Sequence, residues 1–241
     1  TDITASLTGS DISFSAPADY NGSETFTVTV SDSELTDSQD ITVTVLAVND
    51  APVLSSIGNK ILDEDNELNI LLSSVDIDDD PLSYTISNGT QITASLSDNS
   101  LIFIPNQDFN GFETFTITVS DGLLSDSETF TVTINAVNDA PVLATVSDVS
   151  FDEDQSGSLS VSGSDIDGDD LSYSISGGTD ITASLIGSDI SFSAPADYNG
   201  SESFTIITSD GELTDSQSFT VMVNAINDAP VATTGLSGST N

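Results

Sequence analysis

Carboxylates are the side chains whose number and spacing in this sequence suggest chemistry. Forty of the 241 residues are Asp or Glu, against one base, Lys60, and no His, for a formal charge of −39. The acids come in strings that return: Asp63-Glu64-Asp65 reappears as Asp152-Glu153-Asp154, and Asp76-Ile77-Asp78 as Asp165-Ile166-Asp167. Two like charges 4 Å apart repel by ~1 kcal/mol in water and by ~4 kcal/mol at an effective dielectric of 20, so folding that gathers several of them calls for a cation. Asp, Glu and Asn oxygens without nitrogen or sulfur donors suit Ca2+, which takes about six to eight oxygen ligands.

Other chemistry finds little support. The absence of His, Cys and Arg removes the usual general base, thiol nucleophile and phosphate clamp. Paired carboxylates can hydrolyse glycosides, but these pairs recur at turns in every repeat, whereas an active site is a single cleft. The reading is therefore not an enzyme. An EF-hand fails as well: Asp165-x-Asp167-x-Asp169 opens like one, yet Asp170 and Ser176 stand where the loop needs Gly and Glu, and Pro81 and Ser87 fail at the same places.

The elements that must position these acids belong to a repeat. Asn-Asp-Ala-Pro-Val starts at Asn49, Asn138 and Asn227, and 138 − 49 and 227 − 138 both give a period of 89 residues. Thr1 to Leu7 and Gly9 to Glu24 recur unchanged as Thr179 to Leu185 and Gly187 to Glu202. The cuts give the C-terminal half of a repeat (1–47), two complete repeats (48–136 and 137–225), and a linker or the start of another repeat (226–241). The first residues fall within a repeat and carry no leader pattern, so further repeats are expected in the parent chain.

Within the last complete repeat, seven short β-branched and aromatic runs alternate with turns: 146–151, 158–161, 171–175, 181–186, 190–193, 204–208 and 219–223. Phe115-Thr116-Ile117-Thr118-Val119 alternates apolar with Thr, as a strand with one buried face does. The expected fold is all-β: tandem immunoglobulin- or cadherin-like, seven-stranded antiparallel β-sandwiches placed end to end, with a hairpin at Gly187-Ser188-Asp189. In the half-repeat, Ile12, Phe14, Phe26 and Val28 need cover, from a partner chain or a swapped strand, or else the segment is disordered.

Composition narrows the partners. A chain this acidic repels nucleic acid and anionic lipid, and no apolar run approaches the ~20 residues that span a bilayer. Hydrophobic residues still make up 37% of the chain and fall at regular intervals, which argues for a folded chain. Without Cys there are no disulfides, leaving bound metal as the stiffening device.

The order Val/Ile-Asn-Asp-Ala-Pro, Asp-Glu-Asp, Asp-Ile-Asp, Asp-Phe/Tyr-Asn-Gly and Ser-Asp-Gly resembles the cadherin-like tandem-95 repeats of large bacterial surface and adhesin-type proteins. The resemblance covers essentially the whole chain. It implies sandwich modules with calcium at their joints in secreted or surface-attached proteins. At the joint between the complete repeats it implies Glu64, Asn138, Asp139, Asp165, Asp167 and Asp210 as ligands, with Asp108 and Glu113 completing the shell. At the earlier joint it implies Asn49, Asp50, Asp76, Asp78 and Asp121, with Asp19 and Glu24 from the half-repeat. Past the last complete repeat, Glu153, Asp197, Glu202, Asn227 and Asp228 are expected to form an incomplete site. Ser33 departs from the pattern, standing where Gly122 and Gly211 stand.

Blander readings stand beside these. Asp76 to Asp80 also reads as a solvated turn, Asn-Asp-Ala-Pro as a boundary cap, and Asp210-Gly211 as a plain turn. Three functions follow from the sequence: a calcium-rigidified spacer between neighbouring repeats of the same chain, a module binding a polysaccharide or a sister surface protein, and a subunit of a surface filament. Trp is absent, and the four Tyr recur in register, which favours core packing over a sugar platform.

Overall fold

The computed structural model describes residues 2–230, so most of the expected tail at 226–241 lies outside the described residues. Among the described residues there are twenty-two strands and no helix. The chain divides into two compact units between Ala136 and Val137.

Unit 1 opens with two hairpins, β1 (Thr4–Thr8) with β2 (Asp11–Ser15), and β3 (Gly22–Ser31) with β4 (Thr36–Val45). A full sandwich follows, from β5 (Val53–Leu54), β6 (Lys60–Asp63), β7 (Leu68–Leu71), β8 (Ser74–Val75), β9 (Ser83–Ile86), β10 (Ile92–Ser97), β11 (Ser100–Pro105), β12 (Gly111–Ser120) and β13 (Ser125–Asn135). Its sheets run β6-β13-β12-β9 and β10-β11-β7, with β5 paired to β8. Unit 2 repeats the plan with β14 (Val142–Leu143), β15 (Val149–Asp152), β16 (Ser156–Ser160), β17 (Gly163–Ser164), β18 (Ser172–Gly177), β19 (Thr182–Ile186), β20 (Asp189–Ser193), β21 (Gly200–Ser209) and β22 (Thr214–Asn224). Its sheets are β15-β22-β21-β18 and β16-β20-β19, with β14 paired to β17.

The alternation seen in the sequence is the cause of the burial. Phe115, Ile117 and Val119 of β12 face the core and are fully buried, while the Thr116 and Thr129 hydroxyls meet on the outer face at 2.9 Å. Phe103 packs on Phe115 with ring centroids 4.8 Å apart, and on Phe130 at 6.0 Å, both edge to face. Phe192, Phe204 and Phe219 form the same triad in unit 2. Such aromatic pairs add ~0.5–1.5 kcal/mol beyond the area they bury.

The expected hairpin is present, with Ile186 paired to Asp189 across Gly187-Ser188 and Gly187 at φ 64°. Two details go beyond the sequence reading. The two-residue pair β14–β17 joins the seven expected strands, and β15 lies parallel to β22, as β6 does to β13. No hairpin joins β15 to β22, which lie at opposite ends of the repeat, so nothing imposes antiparallel order on them.

Ser33 keeps the turn that Gly122 and Gly211 make, at φ 85° against 99° and 111°. Asp32 Oδ1 accepts from the N–H groups of Glu34 and Leu35 at 2.9 and 2.7 Å and holds the turn. A left-handed backbone costs a side chain with a Cβ about 1–2 kcal/mol. Ser33→Gly is expected to stabilise the β3–β4 hairpin by about 1 kcal/mol. Native-state hydrogen exchange on the amides of β3 and β4 measures this, and unchanged protection would count against strain at this position.

Candidate metal centre

The Asp-Ile-Asp string follows β8 and folds back on itself. Asp78 N–H donates to Asp76 Oδ1 at 2.9 Å, and Asp50 N–H donates to Asp78 Oδ2 at 2.8 Å. Those bonds dock Asn49-Asp50 onto the loop. Asn49 Nδ2 donates to Asp121 Oδ2 at 2.8 Å, and Asp121 Oδ1 accepts the N–H groups of Leu123 and Leu124 at 2.6 and 2.7 Å. Unit 2 repeats each contact: Asp167 N–H to Asp165 Oδ1, Asp139 N–H to Asp167 Oδ2, and Asn138 Nδ2 to Asp210 Oδ2, at 2.9, 2.8 and 3.0 Å. Short polar side chains at turns capture backbone N–H groups two or three residues on, which is why these strings recur at strand ends.

The half-repeat brings Asp19 to this loop. Asp19 sits at φ 62° in the turn before β3. A cleft of about 200 Å³ is lined by Asp19, Asn21, Leu46, Val48, Asp50 and Asp78. Oxygens of Asp76, Asp78 and Asp80 lie within 4.8 Å of one another. Asp76 is only 8% exposed, and its Oδ2 is buried without a hydrogen-bond partner; Asp165 Oδ2 is buried in the same way.

Two electrostatic classes of carboxylate result. Burial, and then the charges of Asp19, Asp78 and Asp76, push the Asp50 carboxyl above its ordinary range. The Asn49 amide, then the Leu124 and Leu123 N–H groups, hold Asp121 below it, and Asn138, Glu212 and Leu213 do the same for Asp210. The one base is engaged at another place: Lys60 Nζ donates to the Ile57 carbonyl, beside Glu128.

Glu24 and Glu113 are placed elsewhere. Glu113 clamps the loop before β10, accepting from the Thr90, Gln91 and Ile92 N–H groups at 3.0, 3.0 and 3.1 Å and from the Thr90 hydroxyl. Burial opposes its ionisation, yet the bonds from Thr90, Gln91 and Ile92 outweigh that and hold its carboxyl below the usual range. Glu202 does this for Thr179, Asp180 and Ile181, and Glu24 Oε1 does it for Asp2 and Ile3. These glutamates fasten a loop to β3, β12 and β21 and are not among the grouped acids.

The acidic loop after β6 and its counterpart after β15 complete the inventory. Glu64 is buried, its N–H bonded to the Asn135 carbonyl, and Asp65 Oδ1 accepts the N–H of Asp108 at 3.3 Å. In unit 2, Asp154 Oδ1 accepts from Asp197 at 3.4 Å, and Glu153 Oε1 from Ile226 at 2.6 Å. There the oxygens of Asp154, Asp197 and Asp228 lie within 4.8 Å of one another. The Asp228 carboxyl is pushed up by Asp197 first, then burial, Glu153 and Asp154. Asp80 and Asp154 stand in the acidic strings quoted from the sequence but were not named there as ligands; the signal for Asp154 is its register with Asp65, both left-handed at φ 64° and 60°.

Hard oxygen donors, an orphaned buried carboxylate oxygen and mutual repulsion fit a divalent hard cation such as Ca2+. Among known proteins, residues 49–135 and 138–222 match the bacterial Ig domain family (Big_9). The chain belongs to the bacterial Ig domain family. The chain is 32% identical over 130 residues to chitinase A of Pseudoalteromonas piscicida, a match covering 52% of this chain and 16% of that protein. Protocadherin gamma B2 extracellular cadherin domains 1–5 share the fold at a TM-score of 0.53 and 21% identity, over 94% of this chain and 51% of theirs. PcdhgB3 domains EC1–4 do so at 0.51 and 13%, over 93% and 64%. The chain thus spans about half to two thirds of these cadherin structures and a small part of the chitinase. Bacterial Ig domains are typical of extracellular and surface proteins. Among the described residues, no helix is long and apolar enough to cross a membrane.

The clamp glutamates set an acid limb of stability. Their folded-state carboxyls titrate below the unfolded value of ~4.3, so their contribution is complete above that pH and is lost as pH falls through the folded value. Glu113→Gln is expected to cost about 1–2 kcal/mol at pH 7 and much less at pH 3. Urea unfolding at the two pH values checks this, and equal losses at both would exclude a charge-based clamp.

Proposed function

We propose that the chain is a calcium-rigidified spacer segment of a tandem-95-like bacterial surface protein, and that it is not an enzyme. One observation carries this reading: Asp76 buries a carboxylate oxygen without a hydrogen-bond partner beside Asp78, where Asp50 lies within reach of the charges of both and of Asp19 from the preceding half-repeat. Asp19, Asp50, Asp76 and Asp78 would hold the ion, with Asn49 and Asp121 fixing the linker string. Bound calcium supplies positive charge and ties together oxygens that otherwise repel. Asp139, Asp165 and Asp167 repeat the arrangement in unit 2, so the device is periodic. Periodic stiffening suits a stalk at the cell surface whose partners are its own neighbouring repeats.

A second reading is a polysaccharide-binding module, favoured by the likeness to a small part of a chitinase. Retention on chitin above that of an unrelated acidic protein would support it, and passage through the column would remove it.

Calcium is expected to raise the melting temperature and sharpen the scattering profile toward a stiffer particle, and chelator to reverse both. Asp50→Asn separates the two roles of that carboxylate. Because the folded-state carboxyl of Asp50 is raised, its charge destabilises the metal-free fold at pH 7, so the variant should melt higher in chelator and respond less to calcium. Calorimetry that finds the same calcium response in Asp50→Asn and Asp76→Asn as in the parent would sink the proposal.

A further inference from the structure

The outer face of the β6-β13-β12-β9 sheet is unlike the rest of this acidic chain. Phe115, Ile117 and Val119 turn inward, so Thr114, Thr116 and Thr118 turn outward, opposite Thr131, Thr129 and Ser127 of β13. The acids of these two strands share the inner side. Glu113 clamps the loop before β10; Asp126, opposite Val119, accepts the N–H of Leu54 at 2.9 Å; and Glu128, opposite Ile117, accepts that of Ile57 at 2.7 Å. One carboxylate of the sheet remains outside, Asp63 at the end of β6, held by Asn135 Nδ2 at 3.0 Å. The result is a face of hydroxyls nearly free of charge, on a chain of net charge −39. One row of it is apolar and breaks the repeat. Ile61, Thr133 and Phe112 stand side by side across β6, β13 and β12. Ile61 is 68% exposed and Phe112 71%, the one exposed aromatic among the described residues. The same row is Ser150, Met222 and Ser201 in unit 2, and Thr44 beside Ser23 in the half-repeat. Phe112 thus stands where the other copies carry Ser, and its ring takes no part in the buried cluster around Phe115.

We propose that this row is the stacking platform of a saccharide site whose ligand is a neutral chain of equatorially linked pyranoses. The inference rests on the polysaccharide-binding reading above and names its site. Such a sugar presents a flat face of C–H groups and a rim of hydroxyls. The electron-rich face of the Phe112 ring attracts the first, and the hydroxyls of Thr114, Thr131 and Thr133 bond the second. Positions on one face of a sheet recur every ~4.8 Å across the strands and ~6.8 Å along them, so several hydroxyls meet one sugar. Other occupants fit worse. Two exposed apolar side chains fall far short of the ~800 Å² that each partner of a stable protein interface buries. A second copy of the chain, or an anionic polymer, meets the repulsion of forty acids.

The test titrates cellohexaose and the N-acetylglucosamine hexamer, both neutral, into the full chain, read by calorimetry and by the amide spectrum of β12 and β13. The expected result is saturable binding of at least one of them that shifts the Thr114, Thr131 and Thr133 amides. Phe112→Ser installs the residue of the other copies at an exposed place, and should bind at least tenfold more weakly with an unchanged melting temperature. Thr114→Val removes one hydroxyl and keeps the side-chain shape, and should bind severalfold more weakly. A hyaluronan oligomer of the same length, which carries carboxylates, should bind more weakly than the neutral sugars. Equal binding by the parent and Phe112→Ser, or amide shifts confined to other strands, would overturn this site and leave the polysaccharide reading standing. No binding of either neutral sugar by the parent would remove both. Tighter binding of the hyaluronan oligomer, or a dimer of the chain that Phe112→Ser dissolves, would also overturn the proposal.

Discussion

Negative charge gathered without internal counter-charge is the constraint on which this structure turns. The backbone itself does the gathering: Asp50 N–H is bonded to Asp78, and Asp78 N–H to Asp76, so the peptide groups that shape the loop bring the carboxylates together. Lys60 is the sole base and is engaged near Glu128. Carboxylates that meet N–H groups, such as Glu113 and Asp121, are lowered in pKa; Asp50, raised first by burial and then by neighbouring carboxylates, and Asp228, raised first by Asp197 and then by burial, go the other way. The first kind holds loops in place, and the second kind is where a cation would act.

The sandwich sets the stage for both. Aromatic triads at Phe103, Phe115 and Phe130, and at Phe192, Phe204 and Phe219, fix the sheets, and the sheets fix where the loops emerge. Each acidic loop then inherits the rigidity of a close-packed core without taking part in it. A repeat of 89 residues multiplies the arrangement along the chain.

Within the first two hairpins Phe14 and Phe26 pack with ring centroids 5.1 Å apart. Two hairpins keep their local pairing because cross-strand contacts are close in sequence, whereas the core that unites two sheets needs strands from both halves.

Much of this was legible before folding was considered. The 89-residue period, the alternation in Phe115 to Val119, the hairpin at Gly187-Ser188 and the oxygen-only donor set are all properties of residue type and spacing. The parallel pairing of β15 with β22 was not legible, because it depends on a strand finding an edge at the far end of the repeat. Nor was the division of labour among acids: Glu113 and Asp76 look alike as ligands in one dimension. Only the tertiary structure decided that Glu113 meets three backbone N–H groups while Asp76 is buried with an oxygen left over, since hydrogen bonding and burial are set by what lies across space. Pattern along the chain determined the fold class and the chemistry, because both follow from local side-chain properties. Three-dimensional packing chose the residues that carry that chemistry, because electrostatic environment is a property of neighbours that the chain order does not contain.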